Sequence, residues 1–391
     1  MSLPLVYHDD YSPPLPPGHR FPMEKFRLLR DHLVTLGMTT DAALLRPSLC
    51  SRDILTLAHD ADYVARYCSG EMGRDELRRL GLPWSPELAQ RTVRAVGGSL
   101  LAAEQALQHG LACHLAGGTH HAHRDHASGF CIFNDLAVIA LYLLESGRVG
   151  RVLIFDCDVH QGDGTARILE NVPDAVTVSL HCEKNFPTRK AHSDWDIPLP
   201  PGMGDEAYLQ VVHDTLNYLL PIYQPDLVLY DAGVDVHRDD ALGLLSLTDA
   251  GLAARDSAVL DHCLGRDIPV VGLIGGGYDK DRALLARRQV RGGLFLGIVI
   301  TTVIAMIVGA VLLTILFGIL ASRLSGQGTQ FGVLTGGAVA MTEQYQEQPD
   351  LAARYEAAGM VHGHDTREGA KAALVERWDA QRRVEPDRSS V

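Results

Sequence analysis

Four short polar segments carry side chains that could perform hydrolytic chemistry together. Asp158 and His160 stand two apart in Asp156-Cys157-Asp158-Val159-His160-Gln161-Gly162-Asp163-Gly164. On an extended chain that spacing turns both side chains to one side. Asp235, closing Asp231-Ala232-Gly233-Val234-Asp235, would complete an oxygen–nitrogen–oxygen set. Three protein ligands leave one coordination position for water and substrate, as a catalytic zinc ion requires. An Asp-x-His pair alone is as often an ordinary loop; the second acidic segment and a histidine pair weigh against that reading. His120 and His121 are sequence neighbours and diverge, so they serve one metal badly. They suit proton transfer, because imidazole titrates near neutral pH. Asp156 and Asp163 are the carboxylates expected to orient one imidazole each and to raise its pKa. Tyr278 follows Gly275-Gly276-Gly277, where a flexible backbone can bring a phenol close to the metal as an oxyanion donor. The same glycines could form a phosphate loop, but neither G-K-[ST] nor the G-x-G-x-x-G spacing accompanies them.

The elements that must position these segments are legible up to about Arg288. Val152–Phe155, Ala175–Leu180, Leu227–Tyr230 and Val270–Ile274 are nearly continuous apolar runs, the pattern of strands buried on both faces. Helix signals lie between them. Ser85-Pro86-Glu87 supplies an N-cap, a first-turn proline and an early acid, with Gly110 past the end. Asn134–Ser146, Asp205–Leu220 and Thr248–Leu264 fill other gaps, and Ser12–Pro17 reads as a surface loop. Strands alternating with helices predict a three-layer α/β/α domain with a mostly parallel sheet. In such a sheet ligands bind beyond the carboxyl ends of the strands, and each polar segment sits just past an apolar run.

The chain has 391 residues, long enough for one large α/β domain and an appendage. Its 48 acidic against 35 basic residues leave a charge of -13, which argues against direct nucleic-acid binding and suits a cationic partner. Seven cysteines without a C-x-x-C pair read as reduced thiols in the cytoplasm. The first residues lack a basic stretch followed by an apolar one, so no secretory signal is expected. Residues 292–321 form an unbroken run without charge, predicting a C-terminal hydrophobic helix. Its core, Leu294–Ala321, exceeds the ~20 apolar residues that cross a bilayer. Arg287, Arg288 and Arg291 before it outnumber Arg323 after it, so a single-pass anchor with a cytoplasmic domain is expected. The chain should then leave that domain at its surface near Arg288. A polar tail, 322–391, carries no interpretable motif.

The sequence resembles the zinc-dependent histone deacetylase family, in its class IV and bacterial deacetylase-like branch. The resemblance rests on YHDDYSPPLPPGHRFPMEKFRLLRDHL at 7–33, GLPWSPEL at 81–88, GGTHHAHRDHASGFCIFND at 117–135, FDCDVHQGDGTA at 155–166, VSLHCEKNFP at 178–187, YDAGVD at 230–235 and GGGY at 275–278. It spans about residues 3–288 and implies the deacetylase/arginase-like fold. It also implies Asp158, His160 and Asp235 as zinc ligands, and His120 and His121 as acid/base residues with Asp156 and Asp163 as partners. Tyr278 would polarise the scissile carbonyl. Gly129, Phe130, Phe186 and Gly276 would line the channel for the acyl-lysine stem. Asp156, Asp158, His160, Ser179 and Leu180 would hold a structural monovalent cation, usually K+. The His19–Lys25 region matches the foot of an internal channel, with Lys25 where many members carry arginine and no role assigned. His123 and His126 are expected at the surface near the channel mouth. Past Arg288 the family would add a short helical segment, where this chain begins its apolar run.

The expected function is hydrolysis of an acyl-lysine or related acylamine by metal-activated water. An arginase-like hydrolase would need a second metal and an Asp-x-His-x-Asp run, whereas residues 156–160 read Asp-Cys-Asp-Val-His. An acetylpolyamine-type amidohydrolase differs only in the amine. A membrane-tethered, non-catalytic binding module is disfavoured by the complete set of polar residues. A transporter is excluded, since one span cannot enclose a pathway.

Overall fold

The structure is a computed structural model that describes residues 3–291. The expected hydrophobic helix at 292–321 and the tail at 322–391 lie outside the described residues. Among those described, no helix is long and apolar enough to cross a membrane. In chain order the elements are β1 (Leu5–Val6), α1 (Lys25–Thr35), α2 (Arg52–Ala58), α3 (Ala61–Ser69), α4 (Arg74–Leu80), α5 (Pro86–His109), β2 (Leu111–His114), α6 (Asp135–Glu145), β3 (Val152–Asp156), α7 (Asp163–Leu169), β4 (Ala175–Cys182), β5 (Trp195–Leu199), α8 (Asp205–Tyr223), β6 (Leu227–Asp231), α9 (Asp249–Leu264), β7 (Val270–Leu273) and α10 (Arg282–Arg291).

The strands form one parallel sheet in the order β1-β2-β7-β6-β3-β4-β5. The chain steps one way from β3 to β5, then returns to the other side of β3 to lay down β6 and β7. Right-handed crossovers running in opposite directions put their helices on opposite faces, so α6 and α7 cover one side and α8 and α9 the other. This is the three-layer arrangement expected. It also creates a switch point between β3 and β6, where the connections diverge and leave a crevice beyond the strand ends. β3, β4, β6 and β7 are buried along their whole length, which accounts for their unbroken apolar runs.

Helix ends follow local chemistry. The Ser85 side chain accepts from Leu88 N at 3.1 Å, Pro86 opens α5, and Gly110 closes it in the left-handed region at φ 83°. Asn134 and Thr248 cap α6 and α9 in the same way. α8 runs past the expected end at Leu220 to Tyr223, with Pro221 inside it. A proline in the final turn removes one hydrogen bond and leaves no following turn to break. The expected surface exit at Arg288 is corrected. Arg288 is buried at 3% exposure inside α10, its guanidinium facing Asp279 at 3.1 Å, Asp249 at 3.6 Å and Asp239 at 3.8 Å. Arginine's planar fork serves several carboxylates at once, which makes it an interior anchor here. α10 continues to an exposed Arg291 and packs against α1.

Candidate active site

The crevice is built from strand ends. Asp156 ends β3 directly opposite Asp231 at the end of β6 and opposite Ser179 in β4. Asp158 and His160 follow β3, but not on an extended segment as expected: residues 158–160 bend. The cause is local. Asp158 Oδ1 accepts the His160 backbone N–H at 2.9 Å and curls the chain back on itself. The two side chains still converge, with His160 Nδ1 2.9 Å from Asp158 Oδ1 and 3.2 Å from Asp235 Oδ2. One ligand atom from each of Asp158, His160 and Asp235 lies within 4.8 Å of the others, and all three residues are buried.

These residues fit a divalent cation. Asp235 Oδ1 accepts from Val159 N at 3.0 Å, while the buried Asp235 Oδ2 faces the His160 imidazole, with Nδ1 at 3.2 Å. Asp158 Oδ2 accepts from Gly276 N at 2.7 Å, which fixes the second carboxylate. Gly276 itself must be glycine, since a Cβ there would lie 2.0 Å from Asp235 Oδ2 and 2.4 Å from Asp158 Oδ2. Burial, then the Asp158 charge, pushes the Asp235 carboxyl up to about 7. Burial pulls the other way at His160, but hydrogen bonds to Asp158 and Asp235 outweigh it and hold its imidazole up at about 10. The cluster thus demands positive charge, which a proton or a metal ion can supply.

The histidine pair stands beside it, ring centroids 4.1 Å apart. His120 Nδ1 lies 2.7 Å from Asp156 Oδ2, and His121 Nδ1 lies 2.7 Å from Asp163 Oδ1. Each ring therefore keeps Nε2 for the crevice. The two environments differ in sign. Burial depresses His120, but Asp156, Asp158 and Asp231 together overcome it and hold that imidazole well above its ordinary value. Burial and the neighbouring His120 charge pull His121 down to about 4, against the hydrogen bond it donates to Asp163. The pair thus combines one imidazole that holds its proton tightly with one that holds it weakly.

Tyr278 is held by its backbone N–H, which donates to Asp240 Oδ2 at 2.7 Å. Its ring lies 6.2 Å from that of His160 and 5.9 Å from that of Phe130. Burial, then Asp158 and Asp235, keep the phenol well above its usual range, hence protonated and able to donate. Phe186, 44% exposed, stands edge-on to His121 at 4.8 Å. Gly129 adopts φ 53°, and a Cβ there would meet His121 Cδ2 at 2.6 Å, so only glycine lets this loop approach the His121 ring. Gly129, Phe130, Gly276, Tyr278 and both histidines line one cavity.

Ser179 and Leu180 lie in β4 beside Asp156, as a strand-end cation site would need, but the Ser179 hydroxyl is engaged with His181 Nδ1 at 3.0 Å. His123 and His126 are not plain surface residues. His123 is half-buried with Nε2 3.2 Å from Asp163 Oδ2, so Asp163 bridges it to His121, and His126 stacks on it at 4.4 Å. Asp231 is a site residue to which the sequence alone assigns no role. It is fully buried, neither oxygen has a hydrogen-bond partner, and Oδ2 lies 3.9 Å from His120 Nδ1. The one signal for it in the sequence is a carboxylate ending the apolar Leu227–Tyr230 run, as Asp156 ends its own.

Residues 19–291 match the histone deacetylase domain family. The chain belongs to that family. An uncharacterized protein of Picosynechococcus sp. (strain PCC 7002) is 50% identical over 281 residues, covering 72% of this chain and 94% of that protein. Histone deacetylase 2 of Arabidopsis thaliana is 28% identical over 274 residues, covering 68% and 71%. The acetoin utilization protein AcuC of Bacillus subtilis is 30% identical over 289 residues, covering 67% and 73%. Among solved structures, the HDA15 HD domain superposes with a TM-score of 0.61 at 22% identity, covering 75% of this chain and 88% of that one, a likeness of fold. The histone deacetylase domain makes this chain a deacetylase-type hydrolase. The family match ends at Arg291, and α10 lies inside it.

Proposed function

We propose that the protein hydrolyses the amide of an acyl-lysine or a related acylamine, with zinc held by Asp158, His160 and Asp235. The observation that carries this reading is the placement of that three-ligand set beside two histidines, each tied through Nδ1 to its own carboxylate. The bound ion supplies Lewis acidity and makes a water molecule acidic enough to attack at neutral pH. His121, neutral and with Nε2 free, takes the proton from that water. His120, charged, stabilises the negative charge that develops and gives its proton to the leaving amine. The Tyr278 phenol donates to the carbonyl oxygen as it becomes an oxyanion. Phe130 and Phe186 hold the aliphatic stem of the substrate and exclude water from it. A potassium ion held by Asp156, Asp158, His160, Ser179 and Leu180 would stiffen the same strand ends. The apolar run 294–321 would anchor the domain to a membrane, with residues 1–288 cytoplasmic.

The test is turnover of an acetyl-lysine peptide by zinc-loaded protein and its block by a hydroxamate, which chelates zinc. Indifference to hydroxamate with turnover intact would remove the metal from the scheme. A binuclear, arginase-like reading has one observation in its favour: His120, Asp156 and Asp231 form a second buried cluster with ligand atoms within 4.8 Å. Metal analysis separates the two readings, at one zinc per chain against two.

A further inference from the structure

Both carboxylates that orient the histidine pair are held at each of their two oxygens. Asp156 Oδ2 faces His120 Nδ1, and Asp156 Oδ1 accepts the backbone N–H of Asp158 at 3.0 Å. At Asp163 the second oxygen is taken by a side chain instead. Its Oδ1 faces His121 Nδ1 at 2.7 Å, and its Oδ2 faces His123 Nε2 at 3.2 Å. Burial would raise the Asp163 carboxyl, but hydrogen bonds with His121 and His123 outweigh it and hold it well below the usual carboxylate range. Asp163 is therefore ionised and only accepts, so His121 Nδ1 and His123 Nε2 both donate to it.

The His123 ring is fixed in place for this contact. Its backbone N–H donates to His126 O at 2.9 Å, and its carbonyl accepts from His59 Nδ1 at 2.8 Å. The His59 tautomer follows from its other nitrogen, since Nε2 accepts from Asn134 N at 2.8 Å and burial pulls the ring down to about 4. On the outer side His126 stacks on His123 with the ring planes 11° apart, and His126 Nδ1 lies 2.6 Å from Asp125 Oδ1. The Asp163 side chain is only 11% exposed beneath His123, so water replaces a lost donor poorly.

A carboxylate held by one oxygen swings about its last side-chain bond, which is a broad, soft torsion. His121 would swing with it, and Nε2 would leave its line to the attacking water. We propose that His123 is a positioning residue for the hydrolytic reaction, a donor that locks Asp163 by its second oxygen and so fixes the tautomer and aim of His121. This rests on the acyl-lysine reading above and adds a third member to its His121–Asp163 pair. His123 acts only through Asp163.

Two substitutions separate the donor from the ring. His123→Phe keeps a ring that can stack on His126 and removes the donor. His123→Gln removes the ring and places an amide N–H near the position of Nε2. The assay uses full-length, zinc-loaded protein and an acetyl-lysine peptide. With KM and zinc content unchanged, kcat should fall ~10-fold or more in His123→Phe and stay within ~3-fold of wild type in His123→Gln. Wild-type kcat in His123→Phe overturns the role; so does His123→Gln as slow as His123→Phe, because ring packing would then be what matters. In an Asp163→Ala background His123→Phe should change kcat less than ~2-fold, and a full loss there overturns action through Asp163. Ring ¹⁵N spectra read the same lock without turnover. Solvent exchange of the His121 Nδ1–H should rise ~10-fold or more in His123→Phe and not in His123→Gln; unchanged exchange in His123→Phe overturns the lock. A wild type that cleaves no acyl-lysine peptide while this exchange responds as expected overturns the deacylase reading and leaves the positioning role standing.

Discussion

Gly276→Ala isolates the metal cradle from the rest of the fold. Gly276 does not occupy the left-handed region, so alanine can take its backbone conformation without strain. The whole perturbation is one methyl group aimed at two ligands. Its Cβ would start 2.0 Å from Asp235 Oδ2 and 2.4 Å from Asp158 Oδ2. Reaching an ordinary contact of 3.4 Å requires retreats of about 1.4 Å and about 1.0 Å. Zinc–oxygen distances tolerate only ~0.2 Å of departure. At least one carboxylate must therefore leave the ligand set. Displacing supporting residues around a metal lowers affinity ~10–100-fold, and losing a ligand should exceed the upper end of that range. Zinc affinity measured by competition with a fluorescent chelator should fall by more than ~100-fold. The melting temperature of the metal-free protein should change little, because Asp158 and Asp235 can relax into the space the ion would fill. A Gly276→Ala protein that binds zinc with wild-type affinity would refute the assignment of Asp158 and Asp235 as ligands.

Tyr278→Phe removes an oxyanion donor and no ligand, so kcat should drop roughly 10²–10³-fold at unchanged zinc content, read from steady-state kinetics and metal analysis. Zinc affinity should fall as pH falls, because protons at His160, held up at about 10, and at Asp235, held up at about 7, occupy the site that the ion must take. Between pH 7 and 10 one proton leaves per ion, and below pH 7 two, so log Kd against pH should steepen from about one to about two decades per unit; a flat profile in chelator competition contradicts the ligand set. The full chain should resist carbonate extraction of membranes if Leu294–Ala321 spans the bilayer, and its recovery in the soluble fraction would refute the anchor.

Much of the fold is legible in the sequence because it follows from one-dimensional patterns. β3, β4, β6 and β7 are buried on both faces, so their residues must be apolar without interruption and announce themselves. α5, α6 and α9 declare their ends through Ser85, Asn134, Thr248 and Gly110, because orphan backbone groups need those caps. β1 and β5 give no such signal: β1 is two residues long, and β5 carries Pro198 and alternates buried with half-exposed positions at the sheet edge. The partnership of Asp156 and Asp163 with His120 and His121 is legible through the resemblance to the deacetylase family; residue types alone offer Asp158, Asp231 and Asp235 as well.

The tertiary structure decides what depends on neighbours distant in sequence. The turn that makes Asp158 and His160 converge is set by a side-chain acceptor, not by the two-residue period of a strand. Asp231 becomes a second carboxylate facing His120 only because β6 lies beside β3 in register. His123 reads as a surface residue until Asp163 is seen to bridge it to His121. Composition and spacing constrain which groups a chain can offer; the dielectric and the partners around each group arise from long-range packing, and these determine whether a histidine is an acid or a base.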